Sequence, residues 1–182
     1  MNREQLAHIL RAASTVTSDG EIIVLGSQSI LGTFDEDVLP QEATLSMEAD
    51  IAFAADAGAE KADEVNGVIG EGSMFQQTFG IYGQGVELST ATLPAGWRDR
   101  LVAFDRVDAE PATARCLEPH DLAVAKLVAG REKDYRFVGA LPAAGLVSAN
   151  LLVERALMLE TIGAVQQRVV QRIGRIGDGT LG

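Results

Sequence analysis

Leu6, Ile9, Leu10, Ala13 and Val16 recur at helical spacing with polar and charged residues between them, which predicts an amphipathic first helix. Asn2 can cap that helix while Gln5 reaches back, the pattern of a capping box. Asp19-Gly20 ends it. The short apolar run Ile22-Ile23-Val24-Leu25 then reads as a buried strand. Gly26-Ser27 follows at once, and Gln28-Ser29-Ile30-Leu31 reads as the start of a helix. Residues 34–45 are polar and read as a loop. Glu48 to Phe53 alternates, the period of a strand: Ala49, Ile51 and Phe53 share the apolar face, and Glu48 and Asp50 the opposite one.

Further along, residues 60–69 predict a helix ended by Gly70. Residues 79–88 read as a strand containing glycines, which weaken a strand or mark a bulge. Residues 93–97 form a turn, and residues 112–117 another strand. Pro119 suits the first turn of a helix that runs to Ala129, and after Gly130 a helix resumes over residues 131–141. Residues 149–173 carry the longest helical pattern, and the glycine-rich residues 177–182 are expected to fray. The resulting division is an α/β core over residues 1–117 with a C-terminal helical region, 118–182, packed on it.

Composition narrows the functional classes. The 182 residues are 47% hydrophobic but only 5% aromatic, which suits helices packed on a sheet and argues against disorder. A formal net charge of −11 excludes a general nucleic-acid-binding surface but leaves room for a local basic site. The single cysteine, Cys116, has no disulfide partner in the chain and no ligand neighbours at zinc spacing, and its apolar setting reads as a buried strand. The N-terminus lacks a signal pattern, and no apolar run approaches a membrane span, so a cytoplasmic protein is expected.

Three features carry candidate chemistry. A glycine at the end of a buried strand lets the backbone turn tightly and approach a ligand, and amides at a following helix start favour phosphate. Glu48 and Asp50 point the same way, about 7 Å apart, where like charges repel and a cation between them is the natural relief. Magnesium suits such a pair, because it takes oxygen ligands from one or two carboxylates plus substrate phosphates. Two solvated acids on an edge strand are the plainer alternative. Lys126 sits in an otherwise apolar helical stretch, where it either snorkels or presents its charge to a phosphate. The charged residues Arg131, Glu132, Lys133 and Asp134 follow Gly130. His120 reads as a surface or capping residue, His8 as solvated, and Trp97 with Arg98 as packing at a sheet edge. Arg168, Arg172 and Arg175 form a helical stripe that reads as a solvated face or an RNA contact.

In order, Gly26-Ser27-Gln28-Ser29-Ile30-Leu31-Gly32, Glu48-Ala49-Asp50-Ile51 and Glu118-Pro119-His120-Asp121-Leu122 through Lys126 to Arg131-Glu132-Lys133-Asp134 resemble an uncharacterised bacterial family of nucleotidyltransferase-like proteins. That family is similar to the abortive-infection nucleotidyltransferase toxins of the DNA polymerase beta-like superfamily. The resemblance runs over about residues 1–147 and omits the last helix. It implies an α+β fold with a mixed sheet flanked by helices. It further implies that Gly26, Ser27, Gln28, Lys126 and Arg131 hold an NTP, that Glu48 and Asp50 bind Mg2+ or Mn2+, and that Lys126 contacts phosphate. Asp134 would be the late acid that serves as base or site organiser. The implied reaction moves an NMP from an NTP to a tRNA or protein hydroxyl, as the toxin of a toxin–antitoxin pair. A degenerate nucleotide- or protein-binding module and an antibiotic-modifying transferase are the alternatives. Glu48 departs from the usual aspartate, and Glu87 is the sole candidate for a third acid. The apolar faces of the last helical stretch (Leu151, Leu152, Val153, Leu157, Leu159 and Ile162) suggest a homodimer or antitoxin contact.

Overall fold

A computed structural model describes residues 1–109 and 112–177. The first helix, α1 (Arg3–Thr17), starts with the expected box: Asn2 accepts from the Gln5 backbone N–H and Gln5 returns a bond to the Asn2 N–H. Its buried stripe of Leu6, Ile9, Leu10 and Ala13 lies on the sheet. The strands β1 (Ile22–Val24), β2 (Glu48–Phe53), β3 (Tyr82–Gly85), β4 (Val102–Ala103) and β5 (Arg115–Cys116) form one mixed sheet in the order β3-β2-β1-β5-β4. β1 runs antiparallel to β2 and parallel to β5, and β2 runs parallel to β3. All three residues of β1 are buried, as its central position requires.

Between β1 and β2 the expected helix is a 3-10 turn, Ser27–Gly32, and the expected loop contains a second 3-10 turn, Glu36–Val38, and the short α2 (Gln41–Thr44). After β2 come α3 (Glu60–Ile69) and α4 (Met74–Phe79). The strand expected over residues 79–88 is therefore only β3; its first residue, Phe79, ends α4, which Ser73 caps by accepting from the Gln76 N–H at 3.1 Å. α1 and α3 cover one face of the sheet, where Ile9 and Ile69 meet at Gly83.

The Ser27–Gly32 turn packs on β2 and β5 and receives α5 (Pro119–Ala129), against which α6 (Glu132–Ala143) lies. Glu118 caps α5 by accepting from the His120 and Asp121 N–H groups. Gly130, at φ +69°, makes the turn between the two helices. The stretch expected as one long helix is two: α7 (Ala149–Leu157) and α8 (Gly163–Gly177). The break has a tertiary cause. The Ala95 N–H donates to the Met158 carbonyl at 2.8 Å and Leu159 pairs with Pro94, so this backbone serves the loop before Trp97 instead of continuing a helix. Residues from Met1 to Ile173 share one hydrophobic core. The expectation that the glycine-rich end frays falls, beyond Gly177, outside the described residues.

Candidate active site

β1 delivers the chain to the edge of a cleft. Beyond Val24, the Leu25 N–H donates to the Asp50 carbonyl at 3.0 Å, holding the strand end against β2. Gly26 is next. A Cβ there would lie 1.5 Å from Asp50 Oδ2, so any side chain would occupy the place of that carboxylate. Its φ of −76° is open to every residue, so the demand for glycine is steric. Gly26→Ala is expected to displace the Asp50 carboxylate and destabilise the fold by about 1–3 kcal/mol, which urea unfolding checks.

The alternation along β2 buries Ala49 and Ile51 and turns Glu48 and Asp50, each half-buried, into the cleft. Burial, then the neighbouring Glu48 charge and a hydrogen bond with Glu48, push the Asp50 carboxyl up to about 6, against the pull of Lys126 and Arg131. On β3 the register sets Tyr82 beside Glu48 and Gln84 beside Asp50. The Tyr82 hydroxyl donates to Glu48 Oε2 at 3.1 Å. Burial and the Glu48 charge push this phenol up to about 12, so it stays a donor.

The opposite wall is cationic. Lys126, in the last turn of α5, lies 3.1 Å from Asp134 Oδ1. Arg131, between α5 and α6, places Nε 2.7 Å from Asp134 Oδ2 and donates its backbone N–H to the same oxygen at 3.2 Å. The Asp134 side chain is 0% exposed, that of Lys126 9% and that of Arg131 61%. Burial alone would raise Asp134, but hydrogen bonds from Arg131 and Lys126 and their charges hold it below the usual carboxylate range. Burial pulls Lys126 below its ordinary value, with Asp134 opposing.

Together these elements enclose a cleft of about 210 Å³. Its lining is ionic or polar at Ser27, Ser46, Glu48, Asp50, Lys126, Arg131 and Lys133, and apolar at Val86 and at Leu122, Ala125 and Val128 of α5.

Of the residues singled out in the sequence, Gly26, Ser27, Glu48, Asp50, Lys126 and Arg131 meet at this cleft. Asp134 stands behind it, with both oxygens engaged. Gln28 does not reach it: its side chain is buried and donates to the Ser46 carbonyl at 3.3 Å, bracing the cleft from beneath. Glu87 is exposed and lines a separate groove beside residues 54–57, so it supplies no third acid. Among the described residues no group of three or more His, Cys, Asp or Glu side chains is placed to hold a metal.

Several residues singled out in the sequence lie outside the cleft. His8 is half-buried and packs edge-on against Phe75 and Phe79. His120 Nε2 accepts from the Ser148 N–H at 2.9 Å, so Nδ1 carries the proton and donates to Glu118 at 2.6 Å; the ring ties α5 to the start of α7. Arg172 donates to the Leu127 carbonyl at 3.0 Å and lies over the Tyr135 ring. Trp97 is buried with Arg98 over its ring. Cys116 is fully buried and its thiol is pushed up to about 12, which suits packing and not nucleophilic chemistry.

Sequence reading missed Ser46 and Tyr82 at the carboxylates, and the buried Asp121 bound by Arg100 at 2.8 Å and Arg155 at 3.3 Å. Tyr82 follows from β3 register, which no local pattern fixes. Asp121 was visible only as a polar residue in an apolar helix.

The carboxylate pair fits a divalent cation that brings phosphate oxygens with it. Its two acids share one strand face and repel each other, a donor set that a cation carrying its own oxygen ligands completes; among the described residues no third acid stands with them.

A mixed sheet whose first strand ends in a Gly-Ser turn against paired carboxylates on the next strand, faced by a Lys-bearing helix, defines a nucleotidyltransferase-like α+β protein. Residues 4–171 match the model of the family described as "Nucleotidyltransferase of unknown function (DUF6036)", and the chain belongs to that family. The match takes in α7 and most of α8, so the family extends beyond the stretch whose motifs are legible. No curated protein and no solved structure matches the chain significantly. No helix among the described residues is long and apolar enough to cross a membrane.

Proposed function

We propose that this protein is a magnesium- or manganese-dependent transferase that moves an NMP from an NTP to a hydroxyl of RNA or protein. The contact between Gly26 and Asp50 carries the reading: the turn suited to phosphate is built against the acid suited to the metal, with no room for a side chain between them. In this account the Gly26-Ser27 turn receives the triphosphate, and Glu48 and Asp50 hold the cation. When bound, the cation polarises the α-phosphate and steadies the departing oxygen. The acceptor hydroxyl attacks the α-phosphorus in line, the bond to the bridging oxygen breaks, pyrophosphate leaves and the hydroxyl proton passes to a cleft carboxylate. Arg131 and Lys133 offset the charge of the pyrophosphate, and the apolar lining at Val86 and α5 receives the base. Asp134, enclosed by Lys126 and Arg131, organises these cations instead of acting as a base.

A second reading, a degenerate module that binds nucleotide without transferring it, is favoured by Glu48 in place of aspartate and by the position of Glu87 outside the cleft. Incubation with each α-labelled NTP, Mg2+ or Mn2+, and bacterial RNA and protein separates the two. Label in an acceptor that is lost in Asp50→Ala supports transfer; nucleotide binding with no transferred label supports the binding module. A role as the toxin of a toxin–antitoxin pair extends the first reading. It requires that expression arrest growth in the wild type and not in Asp50→Ala.

A further inference from the structure

Glu48 is one methylene longer than aspartate, and its carboxylate has an additional torsion to fix before it can serve as a defined ligand. β3 supplies the fixing group. The parallel register places Tyr82 directly beside Glu48, and its hydroxyl donates to Oε2 at 3.1 Å. On the same strand face, Gln84 stands beside Asp50, so β3 brings no acid to the pair. Gln84 is itself occupied, donating to Asn66 Oδ1 at 2.9 Å, and Asn66 in turn bonds the Gly85 N–H and carbonyl at 2.8 and 3.1 Å. This outer edge of β3 is thus pinned to α3, which makes Tyr82 a fixed donor.

The geometry points to Tyr82 as a positioning residue that, by holding one oxygen of Glu48, fixes the longer side chain as a defined ligand. Tyr82 and Glu48 are then a matched pair. The hydrogen bond engages Oε2 and leaves Oε1 for the cation. The inference rests on the reading that Glu48 and Asp50 bind a divalent cation with the nucleotide.

Mn2+ binding, followed by electron paramagnetic resonance of the free ion with and without a non-hydrolysable ATP analogue, tests it. Tyr82→Phe keeps the ring and its packing; it is expected to weaken Mn2+ binding about tenfold, within the range for loss of a group that orients a metal ligand, with melting temperature unchanged. Glu48→Asp, which leaves β3 intact but withdraws the carboxylate from Tyr82, is expected to weaken it similarly. Tyr82→Phe in the Glu48→Asp background is expected to add nothing, because the hydrogen bond is already gone. Wild-type affinity in Tyr82→Phe, or the same additional loss in both backgrounds, overturns the matched pair while leaving the proposed function intact. A wild-type protein that takes up no Mn2+ in either condition overturns both.

Discussion

Asp50→Asn is expected to transfer no nucleotide and yet to be more stable than the wild type at neutral pH. Asp50 is one of two half-buried acids on one strand face, and burial with the adjacent Glu48 raises its carboxyl to about 6. Because the folded-state value lies above the unfolded one, the folded protein binds the proton more tightly than the unfolded chain does. Stability from this group is therefore complete below about pH 4 and is lost as the pH rises through about 6. At pH 7 the ionised pair costs roughly 2–3 kcal/mol, which asparagine of the same shape avoids. Urea unfolding across pH 4 to 7 should show the variant and wild type converging at the acid end and separating as the pH rises. Activity should fall by about a thousandfold or more, the scale expected when a main electrostatic contact of the transition state is removed. A variant less stable than wild type throughout would mean that Asp50 is held by partners that stabilise its charge.

Asp134→Ala is expected to have the opposite effect on stability. Asp134 is fully buried and is the partner of Lys126, whose side chain is 9% exposed. Its removal strips the enclosed ammonium of its hydrogen-bonded counterion, a change that typically costs about 3–5 kcal/mol. It also removes the acceptor for the Arg131 N–H at the start of α6. Asp134 lies below its unfolded value, so its contribution is present above the unfolded carboxylate range and is lost as the pH falls through the folded value. The deficit of the alanine variant against wild type should thus shrink in acid, measured as the difference in urea midpoints. Replacing Asp134 and Lys126 together by apolar residues of similar size should recover much of the loss while leaving activity impaired, because the cation wall is gone.

Local chemistry is what the sequence exposes well. The Asn2 and Gln5 box, the alternation of β2 and the Pro119 start of α5 each depend on residues a few positions apart, and each stands as read. The pair of Glu48 and Asp50 was legible for the same reason: residues two apart on a strand must share a face. Ser73 and Gln76 offered an equally local signal for α4, but the apolar residues after Phe79 suggested a longer strand. The break between α7 and α8 had no local breaker before Gly163, since Met158 and Leu159 suit a helix and left it for bonds to Ala95 and Pro94. Tyr82 beside Glu48 and Arg100 beside Asp121 depend on strand register and on segments 34 and 21 residues distant, which no window of sequence contains.

Diffraction from crystals grown with Mn2+ and a non-hydrolysable NTP, with data collected at the manganese absorption edge, tests the central claim most directly. The account predicts an anomalous peak between the Glu48 and Asp50 carboxylates, with the triphosphate on the Gly26-Ser27 turn and the base beside Val86 and α5. Nucleotide bound elsewhere, or manganese bound away from the two acids, would contradict it.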